Sequence, residues 1–140
     1  MKRLIASILS LFLFSTLFSL LSYTPSSQRE ANVYYFGFLE TFIFVIIYAG
    51  PVYLIAGIPL SLFIDQIIEK FNSKSKWKKY LIGLSLYSLI GILVGVIFLI
   101  LLSQNSAIYF QVILTYSLYG FFASTIYYHL LILVSCFNRK

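Results

Sequence analysis

Residues 80–102 read YLIGLSLYSLIGILVGVIFLILL and contain no charged side chain. A helix rises about 1.5 Å per residue, so this stretch would form a helix roughly 35 Å long. The hydrocarbon core of a bilayer is about 30 Å thick, which such a helix crosses once. The sequence therefore predicts a membrane-spanning helix here, and the flanking residues decide how many others accompany it.

Three further apolar runs occur in the chain, at residues 4–22, 36–64 and 108–137. The polar segment 65–79, with five lysines and Trp77, precedes residues 80–102 and is typical of a cytoplasmic loop at the lipid surface. We therefore predict an all-α fold: a polytopic membrane protein with a four-transmembrane-helix bundle, forming one membrane domain.

The first run follows Lys2 and Arg3, which is also the pattern of a secretory signal peptide. The run is long for the apolar part of a signal peptide, however, and no small-residue cleavage motif follows it. We expect it to be retained as the first span.

Composition excludes several other classes of protein. The chain has 140 residues, of which 61% are hydrophobic and 10% charged, whereas a soluble domain carries about a quarter charged residues. A chain this small cannot bury so much apolar surface away from water. Disorder is excluded too, because it requires low hydrophobicity and high charge.

The net charge of +6 comes from Lys and Arg residues between and beside the apolar runs, where such residues set the orientation of a membrane protein. With four spans, the N-terminus, the 65–79 loop and the C-terminus share one side, which holds nine of the ten Lys and Arg residues. The other side holds Arg29 alone. Positively charged loops stay in the cytoplasm, so we expect a plasma-membrane protein with both termini cytoplasmic. No basic-aromatic module is present, and nucleic acid is not expected as a partner.

The second span contains Gly50-Pro51 and Gly57-Ile58-Pro59. A proline inside a helix removes a backbone donor and clashes with the preceding turn, so we predict a helix kinked at these prolines. A simply bent helix is the favoured interpretation. The alternative is a broken helix that exposes backbone groups to a cavity, as in transporters.

Small residues spaced four apart predict how the helices pack, since close backbone approach drives association in lipid. Each of three spans has one such pair: Gly57 and Ser61, Gly91 and Gly95, Gly120 and Ser124. We favour packing within the monomer. The alternative is a homodimer in which Gly91 and Gly95 form the seam.

Three ionisable residues at membrane depth are the candidates for chemistry, because burying such groups is costly. Glu40 is interpreted either as an interfacial carboxylate bonded to Gln111, Tyr109 or water, or as a proton- or cation-binding group in a cavity. Asp65 and His129 lie at similar depth, so a contact between them is sterically feasible if their helices are neighbours. The favoured interpretation is a satisfied polar contact at a helix end. Glu40 and His129 belong to opposite leaflets.

Other motifs of catalysis and metal binding are missing from the sequence. A single His and a single Cys exclude most metal sites, and no nucleotide-binding or hydrolase motif occurs. We expect no enzyme activity, no metal and no cofactor. The deeper tyrosines need hydrogen-bond partners and either hold the bundle together or line an aromatic ligand pocket; they are Tyr48, Tyr53, Tyr87, Tyr116 and Tyr119.

Residues 48–65, YAGPVYLIAGIPLSLFID, are followed by the lysine-rich loop. This arrangement resembles small uncharacterised four-span membrane proteins of Bacillus-like Gram-positive bacteria. The matching positions would be Tyr48, Gly50, Pro51, Gly57, Ser61 and Asp65. The resemblance implies a class and a location but no mechanism. Small multidrug exporters also have four spans, but they carry a glutamate in the middle of the first span, where this chain has no acidic residue.

These observations predict a non-enzymatic accessory or regulatory protein of the plasma membrane. Its expected partners are the lipid bilayer and either another membrane protein or a second copy of itself. The alternative is a small transporter, or a proton- or cation-coupled carrier, that uses Glu40.

Overall fold

The computed structural model describes residues 1–71, 75–103 and 109–137. Four long helices account for most of these residues: α1 (Lys2–Ser22), α2 (Phe38–Lys70), α3 (Lys76–Leu102) and α4 (Phe110–Phe137). A short 3-10 turn, Ser26–Gln28, lies between α1 and α2. Each long helix is long and apolar enough to cross a membrane, which confirms the predicted all-α four-helix class.

Neighbouring helices run antiparallel, so each end of the bundle has its own chemistry. We call the end with the start of α1, the end of α2 and the start of α3 the basic end, since Lys2, Arg3, Lys70 and Lys76 lie there. The opposite end, with the connection between α1 and α2, is called the loop end.

The helices continue into the segment that was predicted to be a loop. We expected polar loop over residues 65–79, but α2 continues to Lys70 and α3 begins at Lys76. Ile64 is 1% exposed and Ile68 packs against the core, so one face of this last part of α2 is apolar. A helix with one buried face can extend beyond the hydrocarbon while its other face meets water and headgroups.

The helix α2 is irregular where its prolines predicted a disturbance. It is α-helical over Phe38–Pro51, π-helical over Val52–Gly57 and α-helical again over Ile58–Lys70. A proline supplies no N–H to the carbonyl one turn earlier, and a π-helical turn is one way to accommodate that loss. The two halves of α2 therefore pack differently.

The four helices form a ring in which the contact between α2 and α3 covers only part of α2. The closest pair is α3 with α4, while α1 packs on both α4 and the first half of α2. The second half of α2 packs on α3, but the first half has its main contacts with α1. A gap therefore opens between the first half of α2 and the α3–α4 pair, towards the loop end.

The core is small and rich in tyrosine. Its buried members are Ala6, Tyr53, Ile64, Tyr87, Tyr127, Tyr128 and Leu131. Most other large apolar side chains point outwards, for example Leu89, Leu93 and Ile97, which are more than half exposed. Such an outward apolar surface suits a bundle whose solvent is hydrocarbon.

Candidate functional site

The gap beside α2 is a cleft with a volume of about 640 Å³. One wall is the first half of α2 and the π-helical segment, with Thr41, Tyr48 and Gly57 among its residues. The other wall is the α3–α4 pair, and Phe14 and Phe18 of α1 close the back. The volume lies within the roughly 300–1,000 Å³ typical of ligand sites in proteins.

The cleft runs along the bundle and ends at a floor of buried side chains. On α3 its lining extends from Leu102, at the loop end, to Tyr87. These residues are fifteen positions apart in the sequence, which corresponds to roughly 22 Å of helix. Ile64, Tyr87 and Tyr127 are the buried residues at its deep end. The cleft is therefore a long slot, open towards the loop end.

The lining is uncharged. Among the described residues that line the cleft there is no Asp, Glu, Lys, Arg or His. Its polar side chains are Thr41, Ser124 and several tyrosines. The cleft can therefore hold an apolar molecule, whereas an ion inside it would have no counter-charge in a medium of low dielectric.

The tyrosines of the core differ in how their hydroxyls are satisfied. The Tyr53 hydroxyl donates to the Ala123 carbonyl at 3.0 Å, and the Tyr128 hydroxyl donates to the Tyr80 carbonyl at 3.1 Å. The hydroxyls of Tyr87 and Tyr127 are buried and have no hydrogen-bond partner among the described residues. The hydroxyls of Tyr53 and Tyr128 thus link neighbouring helices through hydrogen bonds. Tyr87 and Tyr127 instead stabilise the core by the packing of their aromatic rings.

The small residues of α3 and α4 face each other within one chain. A Cβ placed on Gly91 would overlap the Ser124 hydroxyl and the Gly120 carbonyl oxygen, and one on Gly95 would overlap the Tyr116 carbonyl oxygen. Gly91 and Gly95 are buried there. This face of α3 is thus covered by α4 and is not free to form a seam with a second copy.

The pair on α2 behaves differently. Ser61 is fully buried and its hydroxyl donates to the Ile58 carbonyl at 2.7 Å. Gly57 lies in the π-helical segment and lines the cleft, and a Cβ there would meet only the Val52 carbonyl oxygen, at 3.8 Å. Gly57 is therefore part of the cleft wall and does not mediate close contact between helices.

Glu40 lies outside the cleft, at the start of α2. Its carboxylate accepts from the Gly37 backbone N–H at 2.8 Å and from the Tyr34 hydroxyl at 2.9 Å. The partners are thus Gly37 and Tyr34; they differ from Gln111 and Tyr109, the side chains named for an interfacial Glu40. The hydrogen bond to the Glu40 carboxylate raises the pKa of Tyr34, since it favours the protonated phenol. The Glu40 carboxylate thus caps the start of its own helix, and both of its oxygens already accept a hydrogen bond.

Asp65 pairs with Arg3 and not with His129, so it makes a polar contact at a helix end, which was the favoured interpretation. The Asp65 carboxylate accepts from the Arg3 guanidinium, and the side chains are 40% and 27% exposed. Both residues line a cavity of about 960 Å³ at the basic end, together with Tyr128 and Cys136. The sequence contained the signal for this pair, because the start of α1 and the end of α2 must meet at the same end of an antiparallel bundle.

His129 is exposed and faces α3. Its Nδ1 lies 2.8 Å from the Thr125 carbonyl oxygen, to which it donates, and its Nε2 lies 3.0 Å from the Tyr80 hydroxyl. A neutral imidazole with its proton on Nδ1 satisfies both contacts. Glu40, Asp65 and His129 therefore have three separate sets of partners and form no common site.

Metal binding finds no support in this arrangement. Within residues 1–71, 75–103 and 109–137, no three His, Cys, Asp or Glu side chains lie close enough to hold an ion. Cys136 is exposed near the end of α4.

Comparison with models of known protein families, with curated proteins and with solved structures finds no match to this chain. The resemblance of residues 48–65 to small four-span membrane proteins therefore stays a prediction.

Proposed function

We propose that this protein is a non-enzymatic accessory or regulatory protein of the plasma membrane that acts by binding another membrane component. The observation that carries the proposal is the uncharged cleft between the first half of α2 and the α3–α4 pair, which opens between spans. A site of this kind can bind an apolar component of the membrane without performing chemistry on it.

The ionisable residues support binding over coupled transport. A carrier that moves protons or cations needs an ionisable group that faces the transport pathway. Glu40 instead caps the start of α2 through Gly37 and contacts Tyr34, and it does not line the cleft. The carrier interpretation that uses Glu40 is therefore the weaker proposal.

The proposed orientation places both termini in the cytoplasm. Its support is the distribution of charge, since Lys2, Arg3 and Lys70 lie at the basic end and Arg29 precedes α2 at the loop end. Positively charged segments remain on the cytoplasmic side during insertion. The cleft would then open towards the outer leaflet.

A flux assay with purified protein in liposomes tests the proposed function. The binding proposal expects no protein-dependent movement of protons or monovalent cations down an imposed gradient. Flux that is present with the wild type and lost in Glu40→Gln would overturn it in favour of the carrier. Glu30→Gln is the matched control, because Glu30 is an exposed acid in the connection that leads to α2.

A further inference from the structure

The shape of the cleft limits what can enter it. The second half of α2 packs on α3, so the slot is closed towards the basic end, while the first half of α2 stands away from α3. A molecule can therefore enter from the loop end or sideways from the lipid. The hydrocarbon of one leaflet is about 15 Å deep, half of the full thickness, and the slot is somewhat longer than this.

The cleft has a volume of about 640 Å³, which lies within the range of sites that hold small, flexible ligands. It has room for a flexible chain, and that chain must be uncharged within the slot because no charged residue lines it among the described residues.

We propose that the cleft is a binding site for one acyl chain of a bilayer phospholipid whose headgroup stays at the loop end. This rests on the proposed binding function and names its ligand. Aromatic and small residues form the walls, with Phe44 and Tyr48 on one side and Gly95 and Phe98 on the other. Such walls offer close van der Waals contact to a chain of methylene groups.

A bound acyl chain also supplies the van der Waals contacts that an empty slot lacks. An apolar slot left empty gives up the dispersion contacts of every atom that lines it. Water replaces these contacts poorly, because a buried water needs two to four polar partners and most of the residues that line the slot are apolar. A lipid chain fills the slot without requiring hydrogen bonds from it.

Native mass spectrometry of the full chain, purified in a mild detergent from phospholipid membranes, tests this proposal. Val94 lines the cleft, whereas its neighbour Leu93 is 61% exposed on the outer face of α3. We expect the wild type and Leu93→Trp to retain one phospholipid. Val94→Trp should lose it, because the indole occupies the slot.

A second pair of variants changes residues on the other wall of the cleft, so that the test does not depend on one substitution that fails to fold. Ala49 of α2 lines the cleft and Ile47 is 58% exposed, so Ala49→Phe should lose the lipid and Ile47→Phe should keep it. Circular dichroism identifies any variant that fails to fold. Equal retention of phospholipid in folded Val94→Trp, Ala49→Phe and their controls would overturn the acyl-chain site. The flux assay is independent of this result, so each proposal can fail alone.

Discussion

At the scale of single residues, some polar groups in this bundle bond partners nearby in the chain, whereas others bond a partner on another helix. Glu40 bonds Gly37 three residues earlier, and His129 bonds Thr125 four residues earlier. The sequence identified Glu40 and His129 as candidates but not these partners, because contacts within one helix end depend on local geometry. The Arg3–Asp65 pair could have been predicted, since the predicted topology places the start of α1 and the end of α2 on the same side.

Removing the hydroxyl of a buried tyrosine should have opposite effects on stability where the hydroxyl has a hydrogen-bond partner and where it has none. Tyr53→Phe deletes a bond to the Ala123 carbonyl and should destabilise the fold by about 0.5–1.5 kcal/mol. Tyr127→Phe deletes a buried hydroxyl that has no partner among the described residues, so the fold should be unchanged or stabilised by about 1 kcal/mol. Unfolding in mixed detergent micelles measures both. An equal loss of stability in the two variants would contradict these assignments.

The ion pair between Arg3 and Asp65 should contribute little. Because the side chains are 27% and 40% exposed, water screens their attraction, and a coupling energy of about 1 kcal/mol or less is expected. A double-mutant cycle with Arg3→Ala and Asp65→Ala measures it through the free energy of unfolding. A coupling of several kcal/mol would indicate that the pair is structurally central.

At the scale of helices, the apolar pattern predicted how many there are and where most of them begin. The first, third and fourth helices coincide closely with the predicted spans. At the basic end the helices extend beyond the predicted spans, since α2 continues to Lys70 and α3 begins at Lys76. Ile68, in the extension of α2, packs against the core. The prolines located the disturbance in α2, but the π-helical form of residues 52–57 depends on packing that the sequence does not state.

Two glycines predict opposite responses to the same substitution. Gly91→Ala places a methyl group against the Gly120 carbonyl oxygen and Ser124, so it should destabilise the α3–α4 contact by about 1–3 kcal/mol. Gly57→Ala makes only an ordinary van der Waals contact, with the Val52 carbonyl oxygen at 3.8 Å, and should be neutral or stabilising by up to about 1 kcal/mol, since alanine favours helix over glycine. The free energy of unfolding in detergent measures both. A larger loss for Gly57→Ala than for Gly91→Ala would refute the packing described here.

At the scale of the whole molecule, hydrophobicity and charge predicted a four-helix membrane bundle, but they could not predict the cleft. The cleft exists because the two halves of α2 have different neighbours, α1 for the first and α3 for the second. Such a difference arises from three-dimensional packing at the π-helical segment. The sequence indicated only that the prolines would interrupt the helix.

The proposed orientation predicts which cysteines a membrane-impermeant maleimide reaches in intact cells. Cys136 is exposed at the basic end and should be labelled only after the cells are permeabilised. Ser27→Cys, on the opposite side in a Cys136→Ser background, should be labelled in intact cells, since Ser27 is exposed at the loop end. The reverse pattern would mean that the charge distribution does not set the topology.

The central claim is that the cleft opens into hydrocarbon and not into water, and spin-label accessibility at Val94 measures this directly. With a label on Val94→Cys in a Cys136→Ser background and the protein in liposomes, we predict strong relaxation by oxygen and little by a water-soluble nickel complex. A label on Leu93→Cys should behave in the same way, because Leu93 points outwards from α3. Strong relaxation by the nickel complex at residue 94 but not at residue 93 would contradict the account and indicate an aqueous cavity.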